Sequence, residues 1–169
     1  MMRWNHAGTI ANWTRARRQY LSVMSVNDRP LPTETPVLLY DGECGLCAGS
    51  VQFILRHEPV PRREALRFAP LQSDLGRQVR TRHPELAGVD SVVWFEPTAA
   101  GGRVRYHSAA GLAVLRHLGG FWGVLGALGW LVPRPLRDTV YRAIARRRFD
   151  LVAPACLLPT PEQRGRFLA

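Results

Sequence analysis

Lysine is absent from the 169 residues, so all 23 basic side chains are arginine. With 13 acidic residues against them, the formal net charge is +10 and the isoelectric point about 11.1. The missing lysine, together with abundant alanine, glycine and proline, reads first as a composition bias of the genome. Even so, such a surface attracts phosphates, nucleic acids and anionic headgroups non-specifically, without naming a partner. Cysteine is scarce too. Three residues, one close pair and one distant single, are too few and too unevenly spaced for a disulfide scaffold. Long apolar runs are lacking: Leu118 to Val132 is uncharged, but its fifteen or so residues include several glycines and fall short of the ~20 that a spanning helix needs. The first thirty residues hold Trp4, Arg15, Arg17 and Arg18 but no apolar run that could form the core of a signal peptide. The expectation is a chain without an export signal, in the reducing cytoplasm.

A hydrophobic content of 46% suffices for one domain with a sizeable core plus appended structure. Residues 1–35 show no sustained periodicity and run into Pro30, Pro32 and Pro36, which predicts a mobile N-terminal extension within which Met24 is an alternative start. The domain then occupies 36–169. Val37-Leu38-Leu39-Tyr40 is a short continuous apolar run, as expected of a strand buried on both faces, closed by Asp41-Gly42. Cys47, Val51, Ile54 and Leu55 follow at helical spacing until Pro59 and Pro61. Leu66 to Leu71 reads as a second strand, and Ser73-Asp74 opens a polar helix ending near His83-Pro84. Ser91 to Phe95 and Arg103 to His107, joined by the glycine-rich Ala99 to Gly102, predict a hairpin. Ser108 is placed to cap a helix from Ala109 to about Leu118. The order β-α-β-α-β-β-α is that of an α/β, thioredoxin-like mixed sheet. A helical addition follows from about residue 119. It comprises an apolar segment with Phe121, Trp122 and Trp130, a basic helix from Leu136 to Arg148, and a short helix opened by Thr160-Pro161-Glu162. The apolar face of the basic helix is expected to pack on the core, in preference to a membrane surface.

The chemistry concentrates in Asp41-Gly42-Glu43-Cys44-Gly45-Leu46-Cys47, a CxxC where a strand gives way to a helix. A helix N-terminus offers free amide donors and the positive end of the dipole, both of which stabilise the thiolate that attacks a disulfide. Cys44 is therefore the expected nucleophile. Cys47 lies on the apolar stripe and is expected to turn inward as the resolving thiol, one turn away and able to close a disulfide. The same spacing serves half of a zinc site, the alternative reading, although no second CxxC or paired histidine completes it. Asp41 suits either a proton acceptor for Cys47 or an ordinary turn residue. Cys156 reads as a small buried hydrophobe, and His57, His83, His107 and His117 as surface or helix-end residues.

Tyr40 to Cys47 resembles the signature of the DCC family of thiol-disulfide oxidoreductases, with Asp41, Cys44 and Cys47 at its named positions. The similarity continues in Phe68 to Ser73, Asp90 to Val93, Ser108 to Ala110, and Asp138 and Tyr141 near Arg146 to Arg148, spanning about Val37 to Leu168. It implies dithiol–disulfide chemistry at Cys44 and Cys47 with Asp41 beside them, no cofactor and no metal, and supplies no substrate or reducing partner. One departure from ordinary thioredoxins stands out. Their cis-proline before the hairpin is replaced by Val89-Asp90-Ser91, so Asp90 is a candidate second carboxylate near the thiols or a solvated strand-start residue. A basic nucleic-acid or membrane-surface adaptor ranks behind these readings, because no base-stacking or recognition motif accompanies the charge.

Overall fold

The structure, a computed structural model, describes residues 34–62, 65–99, 101–147 and 159–168. The expected N-terminal extension, apart from Glu34 and Thr35, lies outside the described residues, as does Cys156.

Strand β1, Val37–Tyr40, is buried along its whole length, which is why its sequence is apolar without alternation. It pairs in parallel with β2, Arg67–Pro70, and antiparallel with β3, Val93–Glu96, which in turn pairs antiparallel with β4, Arg103–Tyr106. The sheet order β2-β1-β3-β4 is that of a thioredoxin-like fold. Pro70 ends β2 at the sheet edge, where a missing amide costs least. The hairpin closes through Gly102 at φ 110°, where a Cβ would stand 2.2 Å from the Phe95 ring, so only glycine fits.

Helix α1, Gly45–His57, buries Cys47, Ala48, Val51 and Ile54 on the sheet and stops where Glu58 turns extended ahead of Pro59. Helix α2, Asp74–Arg82, is capped as expected: the Ser73 hydroxyl accepts from the Gly76 amide at 3.1 Å. Helix α3, Ser108–Leu118, departs from expectation at its start. Ser108 is the first helical residue and not the cap; His107, held at φ 54°, precedes it. The acceptor comes from elsewhere in the chain. Asp138 takes hydrogen bonds from the Ser108 amide, at 3.3 Å, and from the Ser108 hydroxyl. At the other end, the Arg62 guanidinium donates to the His117 carbonyl at 2.6 Å, a cation on the negative end of the dipole.

Beyond α3 lie α4, Gly120–Gly129, and α5, Arg134–Arg146. The expectation that the basic helix buries its apolar face is corrected here, since α5 contains no buried residue and Leu136, Val140 and Ile144 are exposed. No helix among the described residues is long and apolar enough to cross a membrane. The expected last helix is a turn followed by one 3-10 turn, Arg164–Arg166, which brings Phe167 into a bridge with Phe68. Arg166 pairs with the buried Glu58 carboxylate at 2.7 Å and donates to the Leu66 carbonyl. His117, expected at a helix end, is there, but its ring is largely buried against Glu58 and Trp94.

Burial alone would raise the Asp138 carboxyl, but the two Ser108 hydrogen bonds and the Arg134 charge outweigh it and hold the group below the usual carboxylate range. Its stabilising contribution is therefore present above the unfolded-state value and lost as pH falls through the lower folded one. Asp138→Ala should cost about 1 kcal/mol, the scale of a lost cap. Hydrogen-exchange protection factors, corrected for the intrinsic rate at each pH, should fall at the first-turn amides of α3 in this variant, and in the parent chain on acidification.

Candidate active site

Because β1 and β2 run in parallel with Tyr40 opposite Pro70, the residues that follow each strand leave the sheet at the same end. Asp41 and Gln72 meet there. The Gln72 amide nitrogen donates to Asp41 Oδ1 at 2.9 Å, and its oxygen accepts from the Gly42 amide at 3.3 Å. Asp41 Oδ1 also accepts from the Glu43 amide at 3.2 Å, while the Asp41 carbonyl accepts from the Cys44 amide at 3.3 Å. Asp41 is thus a turn residue, as half of its sequence reading held, but one that is 8% exposed and tied to a second strand. Gln72 was not singled out by sequence reasoning. Its signal was its place just past β2, in the stretch Phe68 to Ser73, and only the register shows that it faces Asp41.

Cys44 occupies the N-cap position of α1 with extended backbone, and its carbonyl accepts the first helical bond, from Ala48 at 2.9 Å. No residue of the first turn is acidic. Cys47 follows one turn later on the buried face. Both are free thiols, in hydrogen-bond contact with each other, and both are buried, Cys44 without any exposed surface. Burial, then the hydrogen bond and charge of Cys44, then the Asp41 charge push the Cys47 thiol up to about 12, against a lowering hydrogen bond from the Asp41 backbone. Of the two candidate carboxylates, Asp41 is the one whose charge acts on Cys47; Asp90 stands exposed in the loop before β3.

A groove of about 490 Å³ opens beside Cys47. Leu46 and Phe53 of α1, Val114 and Leu115 of α3, and Tyr141 and Ile144 of α5 line it, with Ser91 and Val92 from the loop before β3. The lining is almost wholly apolar, so the groove suits an uncharged surface better than an ionic one. Among the described residues, no three His, Cys, Asp or Glu side chains converge as metal ligands.

A model of the DCC1-like thiol-disulfide oxidoreductase family matches residues 38–153. The uncharacterized protein YuxK of Bacillus subtilis is 38% identical over 135 residues, which cover 78% of this chain and 93% of that protein. A chloroplastic DCC family protein of Arabidopsis thaliana is 30% identical over 117 residues, covering 69% of this chain and 64% of that protein. No solved structure matches. The matched span contains the strand-to-helix junction, both thiols, Gln72 and the helices that line the groove, and the chain belongs to the DCC1-like thiol-disulfide oxidoreductase family.

Proposed function

We propose that the protein is a thiol-disulfide oxidoreductase in which Cys44 is the nucleophile and Cys47 the resolving thiol. The observation that carries this reading is the pair of free sulfurs in mutual contact at the start of α1, with the second pushed far up. With its thiol pushed up to about 12, chiefly by burial, Cys47 is held protonated at neutral pH and does not make the first attack. Cys44 sits at the end of the helix that offers unpaired amides and the positive end of the dipole, the position that suits an attacking sulfur.

In the direction that reduces a substrate, the Cys44 thiolate attacks one sulfur of a disulfide. The substrate S–S bond breaks, one half leaves as thiolate, and a mixed disulfide forms at Cys44. Its formation removes the Cys44 charge that opposed ionisation of Cys47. Cys47 then gives up its proton, for which the buried Asp41 carboxylate is the nearby acceptor, and attacks Cys44. The second substrate thiol departs, and two electrons have passed from the dithiol to the substrate. Because both sulfurs are buried, entry requires the exposed Gly42-Glu43 segment or the groove edge at Leu46 to yield. The apolar groove favours a substrate with uncharged groups flanking the sulfur.

Near neutral pH, iodoacetamide should alkylate Cys44 faster than Cys47, with Cys47 gaining reactivity only in strongly alkaline solution. Mass spectrometry of the two peptides reads this, and equal, sluggish reactivity at both would overturn the assignment. Cys47→Ser should accumulate the mixed disulfide with a small model disulfide, which Cys44→Ser should not form. Asp41→Asn keeps a side chain that accepts from Gln72 but removes the proton acceptor. It should slow resolution of the mixed disulfide by about 10²-fold while leaving its formation within a few-fold, the scale of one lost proton transfer. Stopped-flow resolution rates against pH separate that effect from misfolding, because a structural lesion slows both steps.

A further inference from the structure

Helix α4 is built inside out for a protein in water. Its glycines face α3: a Cβ on Gly126 would lie 3.0 Å from the Leu115 Cβ, and one on Gly129 would lie 2.4 Å from Leu112 Cδ2. Trp122 packs inward against Phe53, but the other bulky residues face outward, with Phe121 70% and Leu128 54% exposed, and Leu131 just beyond the helix is 80% exposed. A helix packed in water turns large apolar side chains inward. Small residues at the helix contact and large ones outside is the arrangement of helices whose surroundings are themselves apolar.

Helix α5 carries a second set of exposed apolar side chains. Leu136, Val140 and Ile144, at four-residue spacing, form an exposed apolar stripe, and Arg134, Arg142, Arg146 and Arg147 stand exposed around it. Trp130 joins the two helices with the Arg137 guanidinium stacked over its ring at 4.5 Å. Of the large hydrophobic side chains exposed among the described residues, all but Val60 fall between 121 and 144. A patch so concentrated is a binding surface or a liability.

We infer that α4 and α5 form a docking face for an anionic phospholipid surface, lying in the interface plane with the apolar side chains among the acyl chains and the arginines on the phosphates. The charge decides among occupants. A second copy of this chain, itself at +10, would bring arginines against arginines, and a nucleic acid would satisfy the arginines while leaving the apolar stripe in water. A lipid boundary satisfies both. The helices, ten and thirteen residues long, lie along such a surface and do not cross it. The inference stands independently of the redox reading, although α5 also lines the groove at Cys47, so that docking sets the groove at the lipid boundary.

Flotation of the full chain with vesicles tests it. The chain should float with phosphatidylcholine vesicles containing about 30% phosphatidylglycerol and weakly or not at all with phosphatidylcholine alone. Leu128→Glu with Leu131→Glu should abolish flotation while leaving the near-ultraviolet circular dichroism and the count of reactive thiols unchanged. Arg146→Gln with Arg147→Gln should weaken partitioning by about 25-fold, about fivefold for each charge removed. Failure of the parent chain to float at low salt would overturn the inference. So would flotation of the double glutamate variant at parental strength, a stable dimer that buries Leu128 and Leu131, or tight binding to single-stranded RNA lost only in the arginine variant.

Discussion

The bridge from Gln72 to Asp41 and Gly42 ties together the ends of two parallel strands, and the active-site geometry depends on it. A charge-assisted hydrogen bond of this kind contributes about 1.5–3 kcal/mol, roughly twice a neutral one. Its larger effect is directional. With Asp41 held by Gln72 and by the Glu43 amide, the chain turns so that Cys44 takes the N-cap position and α1 starts at Gly45. Cys47 is then carried beneath the Asp41 backbone, near enough to the carboxylate to feel its charge and near enough to Cys44 to share a hydrogen bond. One strand register thereby sets the environment of both sulfurs.

Two further polar contacts hold the periphery to this core. Asp138 supplies from α5 the cap that α3 lacks, and so fixes one wall of the groove to the others. Behind the sheet, the buried Glu58 is met by Arg166 and His117, which pins the C-terminal residues beside β2. A buried carboxylate is costly unless paired, and here the pair also accounts for the docking of Phe167 on Phe68. His107, at positive φ between Tyr106 and Tyr141, marks where the hairpin, α3 and α5 converge.

Where local chemistry decides the outcome, the residues announced it. The continuous Val37–Tyr40 run, the cap at Ser73 and the glycine turn before β4 each formed as their sequences require, because period, cap and turn residues act over a few positions. The CxxC and its Asp41 were legible for the same reason. Long-range partners were not. Ser108 has the chemistry of a cap, but Asp138, thirty residues away, takes that role, and nothing in the local pattern shows it. Gln72 looks like a loop glutamine until the parallel register sets it against Asp41. The apolar stripe of α5 suggested packing, since periodicity shows that a helix has an apolar face but not what that face meets. The complete burial of Cys44 was hidden as well, because it depends on residues contributed by several elements.

The most direct measurement on the central claim is an equilibrium redox titration of the full chain in glutathione buffers, followed by mass spectrometry. The account predicts one two-electron transition in which Cys44 and Cys47 close an intramolecular disulfide without glutathione attached. A pair that stays reduced throughout, or that takes up glutathione at Cys47 without closing the bond, would contradict it.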